Sequence, residues 1–269
     1  MVQAVYEQYN YSGNLLPFTF YPNIVRSPNC YTTSANWHDA VEIEWYKSGT
    51  GRVLLDGEKV NVGTNDFVIV NSQQIHHTLP TLPLTYTCLI IDMRFCQQAG
   101  IDPKALQFTP LLQSELLQTY FTDLEHTYAD TKDVCRVAKI KRLVLDILIE
   151  LRAQHAHERA QTNNATHKRI QDAILFIRQH YAEKLTLQDV AKSVYLDRFA
   201  LAREFKKFTH QTVIQYVNDY RCKIVAELLA SGKTISEAAT ECGFNNMSFF
   251  AKTFKKYMGK LPSAYKKGK

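Results

Sequence analysis

The chain has 269 residues, of which 45% are hydrophobic and 22% are charged, a balance typical of a soluble globular protein with room for two domains. The formal net charge of +6 is uneven: residues 167–269 carry 19 Lys and Arg against 9 Asp and Glu, whereas residues 1–166 carry 13 against 17. The carboxy-terminal excess indicates a phosphate-bearing partner. No apolar stretch reaches the roughly 20 residues that span a bilayer, and the start of the chain lacks a signal-peptide pattern, so we expect a cytoplasmic protein with no membrane partner.

Residues up to about 100 follow the pattern of β-strands. The segment VEIEWYKSGTGRVLLDGEKVNVGTNDFVIVN, residues 41–71, alternates apolar and polar positions between turns at Gly, Asn and Asp. Such alternation predicts strands joined by hairpins. We therefore expect a β domain over residues 1–109.

From Pro110 the apolar period becomes that of a helix, and residues 110–156 predict a helical dimerisation segment. In its second helix, apolar residues follow the 3-4-3-4 spacing of a coiled-coil seam, at Val137, Ile140, Val144, Ile147 and Leu151. This seam predicts a homodimer. Other faces of the helix are apolar too, so a core helix packed only on its own domain is an open alternative.

The six cysteines are scattered, at Cys30, Cys88, Cys96, Cys135, Cys222 and Cys242. None has the C-x-x-C spacing of a metal site. We expect reduced thiols buried in the cores.

Residues 157–167 are polar without a period and predict a linker, and the segments beyond it are helical. Residues 168–269 contain an internal repeat. EFKKFTHQTVIQY, residues 204–216, matches TFKKYMGKLPSAY, residues 253–265, at an offset of 49. TLQDVAKSVYLD, residues 186–197, matches TISEAATECGFN, residues 234–245, at an offset of 48.

Each copy of the repeat predicts a capped helix, a turn and a second helix. Thr234 and Glu237 fit a capping box, as do Thr186 and Asp189. Gly243 suits the turn because Gly adopts positive φ without strain. We expect small residues where the helices cross and aromatic anchors under the turn and the second helix: Ala191, Ala239, Phe244, Phe205 and Phe254. These are helix-turn-helix units, at about 186–208 and 234–257, whose second helix is built to lie in a major groove of DNA.

The segment ISEAATECGFNNMSFFAKTFKKYMGKLPSAYKK, from residue 235 onward, resembles the carboxy-terminal signature of the AraC family of transcription regulators. The shared features are Ile-x-x-x-Ala, Gly-Phe, Ser before an aromatic-Phe pair, Phe-Lys-Lys, Gly and Pro-Ser-x-Tyr. The resemblance covers about the last hundred residues and implies two helix-turn-helix units joined by a long helix near residues 213–230. There are departures: His210 stands where a Gly is usual, and Leu261 replaces the common Ser before Pro262.

The resemblance also implies which side chains face DNA. Arg198 and Arg203 have the chemistry for guanine and Asn246 for adenine, while the rest of the second face suits thymine methyls and groove shape. The implied base-facing residues are Arg198, Phe199, Ala202, Arg203, Asn246, Met247, Ser248, Ala251 and Lys252. Lys206, Lys207, Lys255 and Lys256 are expected to neutralise phosphates.

Residues 36–57 and 63–77 resemble the cupin-like sensor domain common in this family, which implies a β-barrel over about residues 17–95. Metal-binding cupins supply His-x-His, a Glu and a later His. Here Asn36 stands in place of the first His, and only His38, Glu42 and His76 match. We therefore predict no metal and no cofactor.

The mouth of the barrel is instead expected to hold a small effector through a few polar groups in an apolar pocket. The candidate residues are His38, Glu42, Trp45, Tyr46 and His76. Aromatic and carboxylate side chains would suit a sugar. A structural role for His38 and His76 at strand ends is the open alternative.

The sequence thus predicts an α+β protein of two domains: an amino-terminal cupin-like β-barrel with trailing helices, and an all-α DNA-binding domain with two helix-turn-helix units. We expect a homodimeric, effector-controlled activator that reads two major-groove segments about 34 Å apart and meets RNA polymerase. No nucleophile–base motif, P-loop or dinucleotide fingerprint suggests an enzyme. Two alternatives are a metal-dependent cupin enzyme fused to a DNA-binding domain, and an effector-blind regulator whose barrel only dimerises.

Overall fold

The computed structural model describes residues 16–28, 35–159 and 165–265. The amino-terminal half begins with seven strands: β1 (Phe18–Arg26), β2 (Val41–Ser48), β3 (Gly51–Leu55), β4 (Glu58–Val62), β5 (Phe67–Val70), β6 (His76–Pro80) and β7 (Leu84–Ile91). After them come α1 (Met93–Gln98), β8 (Leu106–Phe108), β9 (Leu111–Leu112), α2 (Glu115–Ala129), α3 (Arg136–Gln154) and β10 (Ala156–Glu158).

The carboxy-terminal half is helical throughout its described residues. Its elements are α4 (Ala165–His180), α5 (Leu187–Ser193), α6 (Arg198–Thr209), α7 (Val213–Ala230), α8 (Ile235–Glu241), α9 (Met247–Met258) and a short 3-10 helix (Pro262–Tyr265). The predicted α+β class with two domains is confirmed. The long helix expected near residues 213–230 is α7.

The strands form two main antiparallel sheets, with the orders β1-β7-β2-β5-β9 and β4-β3-β6, and β8 pairs separately with β10. Strand β2 lies inside the larger sheet, so its two faces look in opposite directions with a period of two residues. Glu42, Glu44 and Tyr46 share the face that looks toward the interior between the sheets, with Tyr46 in the core cluster of Val53 and Tyr86. Ile43 lies on the other face, in the core that the helices cover. The sensor site therefore lies on one side of β2.

Helices α2 and α3 cover the outer face of the larger sheet. Ile140, Val144, Ile147 and Leu151 are fully buried in this core, while Val137 is half-buried. The predicted dimer seam is therefore wrong for the four buried residues. The physical reason is that a helix covering a sheet needs the same apolar stripe as a helix in a coiled coil.

Two short strands lie beyond the expected end of the β domain. β9 follows residue 109 and pairs with β5, and β10 uses the first residues of the predicted linker to pair with β8. Strands of two or three residues are too short to show a hydrophobic period, so the sequence pattern did not indicate them.

The described cysteines are free thiols, as expected, but they fit the expectation of burial only in part. Cys88, Cys96, Cys222 and Cys242 are buried free thiols, but Cys135 is an exposed one, at the start of α3. Cys30 lies outside the described residues. None of the described helices is long and apolar enough to cross a membrane.

Candidate nucleic-acid interface and sensor site

Both helix-turn-helix units begin with the predicted capping box. The Thr186 hydroxyl accepts from the backbone N–H of Asp189 at 3.3 Å, and the Asp189 carboxylate accepts from the N–H of Thr186 at 2.9 Å. Thr234 and Glu237 repeat these contacts at 3.3 and 3.0 Å. Each box satisfies two donors that the first turn of a helix leaves without a partner, which fixes where α5 and α8 begin.

The turn of the second unit has the expected glycine, but the first unit has an aromatic residue in its place. Gly243 has φ +79°, and Phe244 is buried beside it. The 48-residue offset places Tyr195 at the same position, where it has φ +55° and is 91% exposed. A bulky residue at positive φ is uncommon and is frequently retained for function. The repeat alignment at the 48-residue offset already contains this substitution.

The recognition helices α6 and α9 also end alike. His210 closes α6 with φ +55°, and Gly259 closes α9 with φ +75°. The replacement of Gly by His at residue 210 therefore keeps the left-handed cap. His210 additionally contacts the β domain, since its Nε2 lies 3.2 Å from the carbonyl oxygen of Gly57.

Each recognition helix buries one face and exposes the other. Phe205 and Phe254 are fully buried, as predicted. The implied base-facing residues all lie on exposed or half-exposed positions: Arg198, Phe199, Ala202 and Arg203 on α6, and Asn246, Met247, Ser248, Ala251 and Lys252 at or within α9. Lys206, Lys207, Lys255 and Lys256 are exposed in the last turns of these helices.

The two arginines of α6 make surface contacts within their own helix. The Nε of Arg203 lies 2.9 Å from the Glu204 carboxylate, on a side chain that is 74% exposed. The guanidinium of Arg198 lies 4.7 Å from the ring centroid of Phe199. Exposed ion pairs contribute little stability, so exchange of such a partner for a base edge costs little.

Asn246 has a structural role that the resemblance did not indicate. Its side chain accepts a hydrogen bond from the backbone N–H of Phe249 at 2.8 Å and so caps α9. Asp197 caps α6 in the same way. A bidentate contact from Asn246 to adenine would have to share the oxygen that makes the cap. Phe249 itself is half-exposed on this surface and was absent from the predicted set.

Three predicted sensor residues come together in the β domain. His38 Nε2 lies 2.9 Å from Glu42 Oε2, and His76 Nε2 lies 3.3 Å from the same oxygen. All three side chains are buried. The thiol of Cys88 lies 3.1 Å from the other carboxylate oxygen, Glu42 Oε1. Burial opposes ionisation of Glu42, but the charge of His76 and hydrogen bonds from His38 and His76 outweigh it and hold the pKa well below its usual value.

Glu44 extends this polar cluster, and sequence reasoning missed it. The Tyr46 hydroxyl donates to the Glu44 carboxylate, and Thr78 donates to it at 3.2 Å. Burial, together with the charge of Glu42, raises the pKa of Glu44 to about 7. The alternation in VEIEWY is the signal that could have found Glu44, because it lies two residues from Glu42 on the same face.

The same alternation places Trp45 on the opposite face of β2. Its indole stacks on the ring of Phe67, with the ring centroids 5.9 Å apart, and meets Phe121 of α2 edge-on, with the centroids 6.1 Å apart. Trp45 therefore belongs to the core under the helices, and its assignment to the effector site is wrong.

The DNA-binding half contacts the segment that leads into the sensor cluster. The guanidinium of Arg178 on α4 donates to the side-chain oxygen of Asn36, and the hydroxyl of Tyr216 on α7 donates to the carbonyl oxygen of Ala35 at 2.8 Å. Asn36 in turn forms a β-bridge with His76, with backbone N···O distances of 2.9 and 2.8 Å. A continuous set of contacts thus joins the cluster to α4 and α7.

Two family descriptions match the sequence. AraC-like ligand binding domain matches residues 20–167, more than half of the chain, and Helix-turn-helix domain matches residues 190–268. The chain belongs to the AraC family. As an AraC-family protein, it is a DNA-binding transcriptional regulator with an amino-terminal ligand-binding domain.

Two similar proteins are transcriptional regulators that match this chain over most of their length. The uncharacterized HTH-type transcriptional regulator YdeC of Bacillus subtilis is 26% identical over 94% of this chain and 96% of its own. The HTH-type transcriptional activator RhaS of Salmonella schwarzengrund is 26% identical over 86% of this chain and 87% of its own. The crystal structure of ToxT from Vibrio cholerae has the same fold, with a TM-score of 0.51 and 14% identity over 93% of this chain and 97% of that one.

Proposed function

We propose that one subunit reads two adjacent major-groove segments, with α6 in the first and α9 in the second, under the control of an effector in the β domain. The observation that carries this proposal is the pair of equivalent exposed faces in one chain. Arg198, Ala202 and Arg203 on α6 have the same positions as Met247, Ala251 and Lys252 on α9 at the 49-residue offset. Two such faces on one subunit suit two segments one helical turn apart.

The two faces differ in chemistry, and we propose that they differ in how they read DNA. The α6 face offers two guanidinium groups, the donors suited to a bidentate contact with guanine. The α9 face has Met247 and Ala251, which suit thymine methyl groups, and one long donor in Lys252. The four lysines of the last turns add phosphate contacts, which set affinity and its salt dependence without selecting a sequence.

The effector would act through the segment of residues 35–38. Arg178 and Tyr216 hold this segment from the DNA-binding domain, while His38 and the bridge to His76 tie it to the sensor cluster. A ligand changes DNA binding only if it favours one arrangement of the domains over another. The contacts of Asn36 with Arg178 on α4 and with His76 in the cluster support this proposal.

Three further parts of the proposal rest on the family and on the similar proteins. The named activity of RhaS supports an activator, which would meet RNA polymerase at the promoter. A cytoplasmic location follows from the DNA partner. A homodimer remains proposed, with an interface other than the buried residues of α3.

The experiment is selection of bound duplexes from a random DNA library by the full-length protein, followed by salt titration of the selected duplex. The expected result is two short conserved blocks one helical turn apart. Preference at one base of the first block should relax in Arg203→Ala, and the second block should weaken in a variant of the α9 face such as Lys252→Ala with Met247→Ala. Binding with a steep salt dependence but no enriched sequence would refute sequence-specific reading. A second pair of blocks in the same duplex would support the homodimer.

A further inference from the structure

The two imidazoles of the sensor cluster are each held by the Nδ1 atom. His38 Nδ1 lies 3.1 Å from the carbonyl oxygen of Ala40, and His76 Nδ1 lies 3.1 Å from that of Gln74. A carbonyl oxygen only accepts hydrogen bonds, so Nδ1 carries the proton in both rings. In the neutral form of each ring, Nε2 then presents a lone pair.

Both of these lone pairs face one carboxylate oxygen. His38 Nε2 and His76 Nε2 lie 2.9 and 3.3 Å from Glu42 Oε2 in a buried site. Two ring nitrogens and one carboxylate oxygen, each able to coordinate a cation, thus meet in one buried place.

The spacing of the three atoms fits a metal ion. The three ligand atoms lie within 4.8 Å of one another. Nitrogen and oxygen ligands about 2.0–2.2 Å from a zinc ion are about 3.0–3.5 Å apart at tetrahedral or octahedral angles. The two measured contacts to Glu42 therefore require little rearrangement. An Nδ1–H bonded to a backbone carbonyl is also the usual support for a histidine that binds metal through Nε2.

We propose that His38, Glu42 and His76 bind a divalent transition-metal ion, and that this ion is the signal to which the regulator responds. Two imidazoles and one carboxylate suit zinc, iron, cobalt or manganese rather than magnesium or calcium. The inference deepens the proposed function and rests on its effector site. It also revises the expectation of no metal, which was drawn from the absence of a third histidine at residue 36.

Asn36 is not a further ligand in this proposal, but it links the ion site to the DNA-binding domain. Its side-chain oxygen already accepts from Arg178, and its backbone pairs with His76. Because Asn36 lies two residues from His38 and pairs with His76, an ion held by both rings restrains the same segment that the DNA-binding domain holds. The metal site and the interdomain contact share one stretch of backbone.

The test is titration of the full-length, chelator-treated protein with Zn²⁺ and Co²⁺, with Mg²⁺ as a negative control. The background is Cys135→Ser, because this exposed thiol is a competing zinc ligand. Calorimetry in two buffers of different ionisation enthalpy measures affinity, stoichiometry and proton release together. We expect one ion per chain, and at least a tenfold loss of affinity in His76→Gln and in Glu42→Gln. His180→Gln is the matched control, because His180 also lies beside a carboxylate, that of Glu183, but outside the cluster.

The Co²⁺ complex gives a second readout that does not depend on a variant folding. We expect visible d–d bands of nitrogen and oxygen ligation without a thiolate charge-transfer band. Absence of a bound ion in the wild type, or equal affinity in His76→Gln and wild type, would overturn the metal site. An ion that binds but leaves the affinity for the selected duplex unchanged would overturn its role as signal. Failure to select any DNA sequence would count against the proposed function alone, since the titration needs no DNA.

Discussion

The most informative single substitution in the DNA-binding domain is Gly243→Ala. Gly243 has φ +79°, and a Cβ built there would lie 2.4 Å from the carbonyl oxygen of Ala182 and 2.9 Å from its carbon. Left-handed backbone costs an alanine about 1–2 kcal/mol. The contact with backbone atoms forces a shift, and overpacking of this kind costs a further amount of about 1–3 kcal/mol. We expect the free energy of unfolding to fall by about 2–5 kcal/mol in total.

The surroundings explain why this shift is difficult. Arg221 donates to the carbonyl oxygens of Tyr181 and Glu183, both at 2.7 Å, and so fixes the backbone on either side of Ala182. Its guanidinium also lies 5.7 Å from the ring centroid of Phe244. The turn and the segment beneath it are thus held by one side chain.

Gly232→Ala is the matched control within the same domain. Gly232 also has positive φ, at +100°, but a Cβ there meets no atom within 4 Å. It therefore carries only the conformational cost of about 1–2 kcal/mol. Urea unfolding of both variants, followed by far-UV circular dichroism, measures the difference. Equal losses of stability in the two variants would refute the argument from the Ala182 contact.

Three further predictions concern DNA reading, the first turn and the interdomain contact. In binding titrations, Arg203→Ala should cost about 1–3 kcal/mol of binding free energy at one base position. Lys206→Ala should instead weaken binding to all duplexes alike and lower the slope of log affinity against log salt by about 1. An equal loss on all duplexes in Arg203→Ala would show that Arg203 contacts only phosphate. Tyr195→Gly should raise the free energy of unfolding by about 0.5–1 kcal/mol, because Gly relieves the positive φ; a loss of stability in urea unfolding would contradict this. Tyr216→Phe keeps the ring but removes the hydrogen bonds that the hydroxyl donates to Ala35 and accepts from Arg178. It should reduce the effect of effector on DNA affinity; an unchanged response in the same titrations would exclude these contacts from the coupling.

The helix-turn-helix units could be predicted from the sequence because their signals are local. A capping box needs two residues three apart, and a single Gly is enough to indicate a left-handed turn. The two copies confirm each other, since Thr186 and Thr234 make the same contacts. The repeat could have supplied more: at the 49-residue offset of the second helices, Asn246 aligns with Asp197. A residue aligned with an N-cap is expected to cap rather than to read a base.

The errors in the β domain come from relations that a linear pattern does not contain. The spacing of Ile140, Val144 and Ile147 is the same for a seam with a second subunit and for a face on a sheet of the same subunit. The spacing shows that the apolar face is buried, but it does not show whether a second subunit or a sheet of the same subunit covers it. Trp45 is different, because it lies three residues from Glu42 on the same strand. Residues an odd number apart point to opposite faces of a sheet, so the sequence alone could have excluded Trp45 from the site.

Position 36 shows why the sensor site needed the structure. In the sequence, Asn36 is a missing ligand, which argued against a metal. In the structure its amide oxygen accepts from Arg178. An imidazole there could meet the guanidinium only through a ring nitrogen with a free lone pair, which is the same atom that a metal requires. Interdomain contact and metal ligation therefore compete for this side chain, and Asn serves the contact. A third histidine at residue 36 would complete the ligand set of the ion but would weaken the contact with Arg178 on α4. That exchange suits a metal held for catalysis, whereas Asn36 suits a metal whose binding is sensed by the DNA-binding domain.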